Sequence, residues 1–153
     1  MPASRKVLES ARGLIARENE ASLGTIEGEI PYVSVTSYLF EPGEGERLGS
    51  IYLLLSDLAR HTKNLKKNKT VSLLIVESKP EVSVQQRARV TVVGEIEGVS
   101  VEGEKRLREK FRRALPWSEM WLSLPDFHFY RLRPSEVSWI GGFAQAQSIK
   151  IPA

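Results

Sequence analysis

The apolar run Ile51-Tyr52-Leu53-Leu54-Leu55 leads without a break into Ser56-Asp57-Leu58-Ala59-Arg60-His61-Thr62-Lys63-Asn64-Leu65. A helix opening directly at the end of a buried strand presents unpaired N–H groups and the positive end of its dipole. Arg60, His61, Thr62 and Lys63 add side-chain donors in its first turns. Together these suit an anion, a phosphate above all. The same residues equally suit a capped, lysine-rich surface helix whose cations favour its C-terminal end. Sequence physics leaves both readings open.

Charge is focused rather than spread. The 153 residues carry a net +3, yet residues 59–70 hold five bases and no acid, and residues 104–113 hold six bases and two acids, so the remainder sums to −6. Focusing of this kind points to a local anion site or to solvated helix faces, not to the broad basic stripe of a nucleic-acid surface. With no cysteine there is no disulfide, zinc ribbon or thiol nucleophile, and two histidines make a poor metal site. No metal is expected. Hydrophobic residues at 41% and charged residues at 27% describe a globular chain of one domain, spanning 1–153. No apolar run approaches the roughly 18 to 20 residues of a spanning helix, and the N-terminus is polar, so the expectation is a soluble cytoplasmic protein without a membrane partner.

The elements that must hold these residues follow from periodicity. Val7, Leu8, Ala11, Leu14 and Ile15 recur at helical spacing over about residues 4–18, and Ser4 is placed to cap that helix. Ala21–Ile26 and Ile30–Phe40, joined by Glu27-Gly28-Glu29, predict a hairpin. Ile51–Leu55 predicts a central strand, and Ser56 or Asp57 a cap for a helix to about Asn68 with Leu58 and Leu65 facing inward. Val71–Glu77 and Ala88–Glu97 read as strands, the second alternating Val90 and Val92 with Arg89 and Thr91. Ser100 caps a helix with Leu107, Phe111 and Ala114 on one side, which Pro116-Trp117 ends. Asp126–Leu132 and Glu136–Ile140 read as closing strands, the barrel spanning about 21–140. Six or seven strands interrupted by helices predict α+β with an antiparallel barrel, and neither GxGxxG nor a P-loop occurs.

The block SDLARHTKNLKKNKTVSLLIVE, with PYVSVTSYLF and IYLLL before it and RARVTVVGEIE and FHFYRLRPSEVSWIGGFAQA after it, resembles the pyridoxamine 5'-phosphate oxidase-like FMN-binding split barrels. It is most similar to the branch that includes haem-utilisation proteins, over about residues 5–147. The resemblance implies a six-stranded antiparallel split β-barrel with flanking helices, a homodimer, and FMN sites at the dimer interface. It implies that Ser56 and the Arg60-His61-Thr62 turn hold the flavin phosphate, with Asn64 supporting the turn and Lys63 adding charge. Tyr32, Val33 and Ser34 lie on the strand that runs beside the flavin in this family; Arg87 and Arg89 fall where relatives approach the cofactor; Trp139 matches a tryptophan near the ring. Read as residues alone, Tyr32 and Trp139 are equally core aromatics, Arg87 and Arg89 equally surface partners of Glu95 or Glu97, and His128 a structural residue.

The chain departs from the family in ways that bear on function. Where the true oxidases carry an Arg-Pro-x-x-Ser-Gln stretch for the substrate phosphate, this chain has Leu115-Pro116-Trp117-Ser118-Glu119, and Gly141–Ala153 holds no Arg-x-His element. Oxidation of pyridoxamine phosphate is therefore not expected. Haem-degrading relatives carry further sequence with a haem-ligating histidine, whereas no histidine follows His128 here, leaving His61 and His128 as the candidates for haem iron. The resulting expectation is an FMN-dependent oxidoreductase acting on an unidentified small molecule, with no side-chain catalytic residue required. A flavin or haem carrier without turnover is the alternative from a different class, and a basic nucleic-acid-touching protein the third.

Overall fold

The computed structural model describes residues 3–142 and 145–152. Helix α1 (Ala3–Arg17) precedes β1 (Glu20–Glu27), β2 (Ile30–Pro42) and β3 (Gly49–Ser56); α2 (Arg60–Lys67) leads to β4 (Thr70–Val76) and β5 (Arg89–Gly98). Then come α3 (Val101–Ala114), α4 (Glu119–Leu122), β6 (Phe127–Ile140) and β7 (Ala146–Lys150). One antiparallel sheet runs β3-β2-β1-β4-β5-β6-β7, and β3 pairs again with β6, so β1 to β6 close on themselves. This is the six-stranded antiparallel split barrel expected from the sequence, with β7 added.

The hairpin forms where expected: Glu27 faces Ile30, and Gly28 takes φ +64°, the left-handed conformation a two-residue turn requires. The two closing strands are one. β6 runs through Pro134 because an irregularity at Gly94 absorbs it, and there a Cβ on Gly94 would lie 2.1 Å from the Arg133 carbonyl oxygen. On one side of that irregularity β6 pairs with β3 from Phe127 to Leu132; on the other it takes β7 from Glu136 to Ile140. β7 carries no strong alternation in sequence and was not expected. Helix α1 begins at Ala3, so Ser4 lies inside the helix rather than capping it.

Two apolar clusters hold the fold. Leu23, Leu53, Leu73, Val92 and Leu132 fill the barrel, and α1 lies against β2, β4, β5, β6 and β7, adding Leu8, Ala11, Leu14 and Ile15. The Tyr38 hydroxyl donates to the Ile15 carbonyl at 2.7 Å, tying helix to barrel. Outside the sheet, α3 packs Leu107 and Phe111 onto Tyr52, Leu54 and Phe129, the two phenylalanine rings edge-on with centroids 5.6 Å apart. Ser100 caps α3 as expected, accepting from the Gly103 N–H at 3.2 Å. Ala114 is exposed, and Leu115 fills the place expected for it.

Candidate functional site

Everything at the candidate site depends on how β3 passes into α2. The Ser56 hydroxyl donates to Asp126 Oδ2 at 2.6 Å and accepts from the Leu58 N–H at 3.1 Å, so it closes a turn instead of capping a helix. The helix therefore starts at Arg60, with Ala59 as an N-cap that offers no side-chain acceptor. Leu58, expected to face inward, is 72% exposed. Thr62, Asn64 and Leu65 are the buried residues of α2, which lies over β1 and β2. Among the described residues its first N–H groups have no side-chain partner, and the Thr62 hydroxyl is buried without one. An uncapped start beside a cleft is the arrangement that accepts an anion.

That cleft, of about 330 Å³, opens between the start of α2 and the segment after α3. Leu54, Phe111, Trp117, Trp121 and Phe127 make it apolar and aromatic, while Ser56 and His61 supply polar groups at one side. The His61 Nδ1 lies 2.8 Å from the Ser34 hydroxyl, which fixes the ring and leaves Nε2 for a further partner. Burial pushes the His61 pKa down from its ordinary value, so the imidazole is neutral near pH 7.

The other flank of α2 faces the tip of the β1–β2 hairpin across a second cleft, of about 600 Å³. Here the Arg60 Nε meets Glu27 Oε2 at 2.6 Å, and its guanidinium stacks 4.3 Å from the centre of the Tyr32 ring. The Arg60 bond holds the Glu27 carboxyl below its ordinary pKa. Asn64, with its amide oriented to satisfy both atoms, accepts from the Thr25 hydroxyl at 3.1 Å and donates to Glu27 Oε2 and to the Arg60 carbonyl at 3.3 Å. Lys63 and Lys67 line the same cleft and form no ion pair among the described residues.

The structure thus sorts the sequence-predicted residues into three places. Ser56 and His61 line the aromatic cleft, with Ser34 bonded to His61, and Thr62 is buried; Arg60, Lys63 and Asn64 line the hairpin flank, with Tyr32 under the Arg60 guanidinium; Val33 is 67% exposed. Arg87, Arg89 and Trp139 lie elsewhere. Arg89 sits between Val76 and Ile140, at the end of β4 and β5 away from α2, and its buried Nε has no partner among the described residues. Arg87 donates from Nε to the Val82 carbonyl at 3.2 Å, and Trp139, opposite Val90, packs against the barrel core. Neither arginine pairs with Glu97, whose partner is Arg133 at 2.6 Å. Phe143 of the C-terminal block lies outside the described residues. His128 bridges Glu104 at 3.2 Å and Asp57 at 3.6 Å, a structural link between α3 and the turn before α2. Reading by spacing missed Trp117, Trp121 and Glu27: the tryptophans stand four apart, a helical interval, beside a proline that reads only as a helix end.

Comparison with known proteins places this arrangement. The sequence matches the family described as "CREG, beta-barrel" over residues 2–153. It is 33% identical over 98 residues to a chloroplastic non-canonical heme oxygenase, HOZ, of Arabidopsis thaliana, a match covering 64% of this chain and 29% of that protein. It is 28% identical over 105 residues to the heme oxygenase HutZ of Vibrio cholerae, covering 64% of this chain and 58% of that protein. The chain therefore corresponds to only part of each relative's length. Among solved structures, a heme binding protein from Mycobacterium smegmatis superposes with a TM-score of 0.81 at 28% identity, over 98% of this chain and 59% of that one. A putative pyridoxamine 5'-phosphate oxidase from Listeria innocua shares the fold, with a TM-score of 0.68 at 14% identity over 88% and 98% of the two chains.

Proposed function

The chain belongs to the CREG β-barrel family, among the pyridoxamine 5'-phosphate oxidase-like split barrels on their haem-utilisation side, and from that premise we propose that its aromatic cleft binds a flavin or a haem. The observation that carries this reading is the joining, in one cleft, of an aromatic wall with the uncapped start of α2. Both cofactors have a flat aromatic ring system that carries acidic groups on its substituents, and the cleft offers a surface for each part.

In the first finer reading the cofactor is FMN and the protein an oxidoreductase of a small molecule other than pyridoxamine phosphate. The phosphate would be held by the first N–H groups of α2, with the Ser56 hydroxyl, already bonded to Asp126, fixing the turn that presents them, and Ser34 and Val33 on the strand beside the ring. A bound flavin supplies hydride or electron transfer. The chain's part is to anchor the phosphate, to exclude water with Trp117 and Trp121, and to keep His61 neutral and oriented through Ser34. Two observations favour haem as the second reading: a neutral imidazole with a free Nε2 stands in the aromatic cleft, and the curated relatives are haem oxygenases. His61 would then be the residue that meets the iron.

Dimerisation belongs to the same proposal. Val33 and Val35 stand 67% and 71% exposed on β2, and Val35 borders the aromatic cleft together with exposed Trp117 and Trp121, an apolar surface that a second copy would cover. Arg87, Arg89 and Trp139, remote from His61 within one chain, would reach a cofactor only from such a copy.

The test is the visible absorption of the purified protein, titrated separately with FMN and with haem. Saturable flavin bands with a protein-induced shift support the first reading, and a Soret band that is lost in His61→Ala supports the second. If neither ligand saturates, the cofactor claim falls while the fold stands.

A further inference from the structure

The hairpin flank of α2 carries more charge than its own structure uses. The cleft between the Gly28 turn and α2 presents Arg60, Lys63 and Lys67 against the single carboxylate of Glu27, with the side-chain amides of Asn64 and Asn68 at its wall. Glu27 is occupied by Arg60, which leaves Lys63 and Lys67 unpaired among the described residues. The two lysines stand four residues apart on α2, so they lie on one face and about 6 Å from each other along the axis. Like charges at this spacing oppose helix formation, and no acid in the first turn of α2 offsets them. The basic helix α3 shows the ordinary solution: Arg106 and Lys110 share Glu41, and Arg112 and Arg113 share Glu109.

We propose that this cleft is a second anion site, separate from the aromatic cleft across α2, and that it takes a small molecule bearing a diphosphate. A single phosphate has few oxygens to share among Lys63, Lys67 and Arg60, whereas two adjacent phosphate groups offer enough acceptors to engage all three cations at once. Arg60 is the third donor, and Glu27 is the residue that sets the affinity. Its carboxylate occupies the guanidinium as an incoming phosphate oxygen would, so ligand must displace it or bind beside it. Asn64, bonded to Glu27 and to Thr25, holds that carboxylate in place. The inference does not depend on which cofactor fills the aromatic cleft.

The probe is pyrophosphate, titrated into the full chain at fixed ionic strength, with orthophosphate and ADP in parallel, read by calorimetry and by amide chemical shifts. Saturable binding of pyrophosphate centred on residues 60–68 is expected, with orthophosphate weaker by about tenfold. Retention of affinity by ADP identifies a nucleotide-type ligand, and its loss an inorganic or terminal diphosphate; both carry the shared chemistry. Lys63→Ala with Lys67→Ala weakens binding by about tenfold or more, whereas Glu27→Gln, which frees Arg60, strengthens it several-fold. Lys66→Ala, a cation of the same helix that points instead to Asp57, is the control and leaves affinity within about twofold. Shifts that grow linearly without saturation, or losses as large in Lys66→Ala as in the Lys63 and Lys67 double variant, overturn the proposal. Flavin or haem titration of Lys67→Ala alone stays as in the parent, which separates failure here from failure of the cofactor reading.

Discussion

Helices α2 and α3 are alike in composition and opposite in use. Both are short, amphipathic and rich in lysine and arginine, and the sequence windows that contain them carry +5 and +4. In α3 the cations are spent on structure. Ser100 caps its start, Glu102 and Glu104 occupy its first turn, and Glu41, Glu109 and Glu119 take up Arg106, Lys110, Arg112 and Arg113. In α2 the start is uncapped, the first turn holds no acid, and Lys63 and Lys67 are left to solvent. Charge in a sequence window therefore does not tell the two helices apart; which of that charge the fold neutralises does. One helix clamps the sheet, and the other stands between two clefts.

That contrast can be broken from either side. The largest effect is expected in α3: Phe111→Ala removes the ring that meets Phe129 edge-on and should cost about 3 to 5 kcal/mol in urea unfolding. A loss below about 1 kcal/mol would show that α3 is not the clamp described here. Next comes Glu41, whose carboxyl Arg106 first, and then Lys110, hold down to a pKa of about 2. Because the folded value lies below the unfolded one of 4.5, its stabilisation is full above about pH 4.5 and disappears as pH falls through 2. Glu41→Gln should thus lose about 1 to 2 kcal/mol at pH 7, discounted for partial exposure, and much less near pH 2.

On the α2 side the effects on stability are smaller. Burial holds His61 neutral, so its NMR titration midpoint should fall below the ordinary 6.5. The unfolded chain then binds the proton first, and His61 contributes stability above that range that is lost as pH falls through it. His61→Gln should flatten that part of the pH–stability curve; an unchanged curve would place the ring in water. The smallest effect belongs to Lys63 and Lys67. Replacing both with alanine should leave unfolding within about 0.5 kcal/mol of the parent, or raise stability slightly by relieving their repulsion. A clear loss would mean that these lysines serve the fold after all.

The difference between the helices also shows what the sequence could disclose. Local rules were legible: the Gly28 hairpin, the alternation of β5 and the Ser100 cap each depend on residues within a few positions of one another. With the family block, they led to the split barrel. Long-range partners were not legible. Ser56 reads as a cap, but Asp126, seventy positions later, claims its hydroxyl and moves the helix start to Arg60. Arg60 reads as a phosphate donor, yet Glu27 and Tyr32 hold it on the far flank from His61. The aromatic wall was invisible for the same reason, since Trp117 and Trp121 become a surface only when β3 and α2 are set opposite them.

The central claim, that the aromatic cleft beside α2 holds a flavin or a haem, is tested most directly by its own tryptophans. In a Trp139→Phe background Trp117 and Trp121 are the tryptophans that remain to be excited selectively, and both line the cleft. Titration with FMN and, separately, with haem should quench that emission saturably for at least one of them, with the remaining signal shifted. Emission that falls no further than that of free tryptophan in the same titrations, for both ligands, would contradict the account.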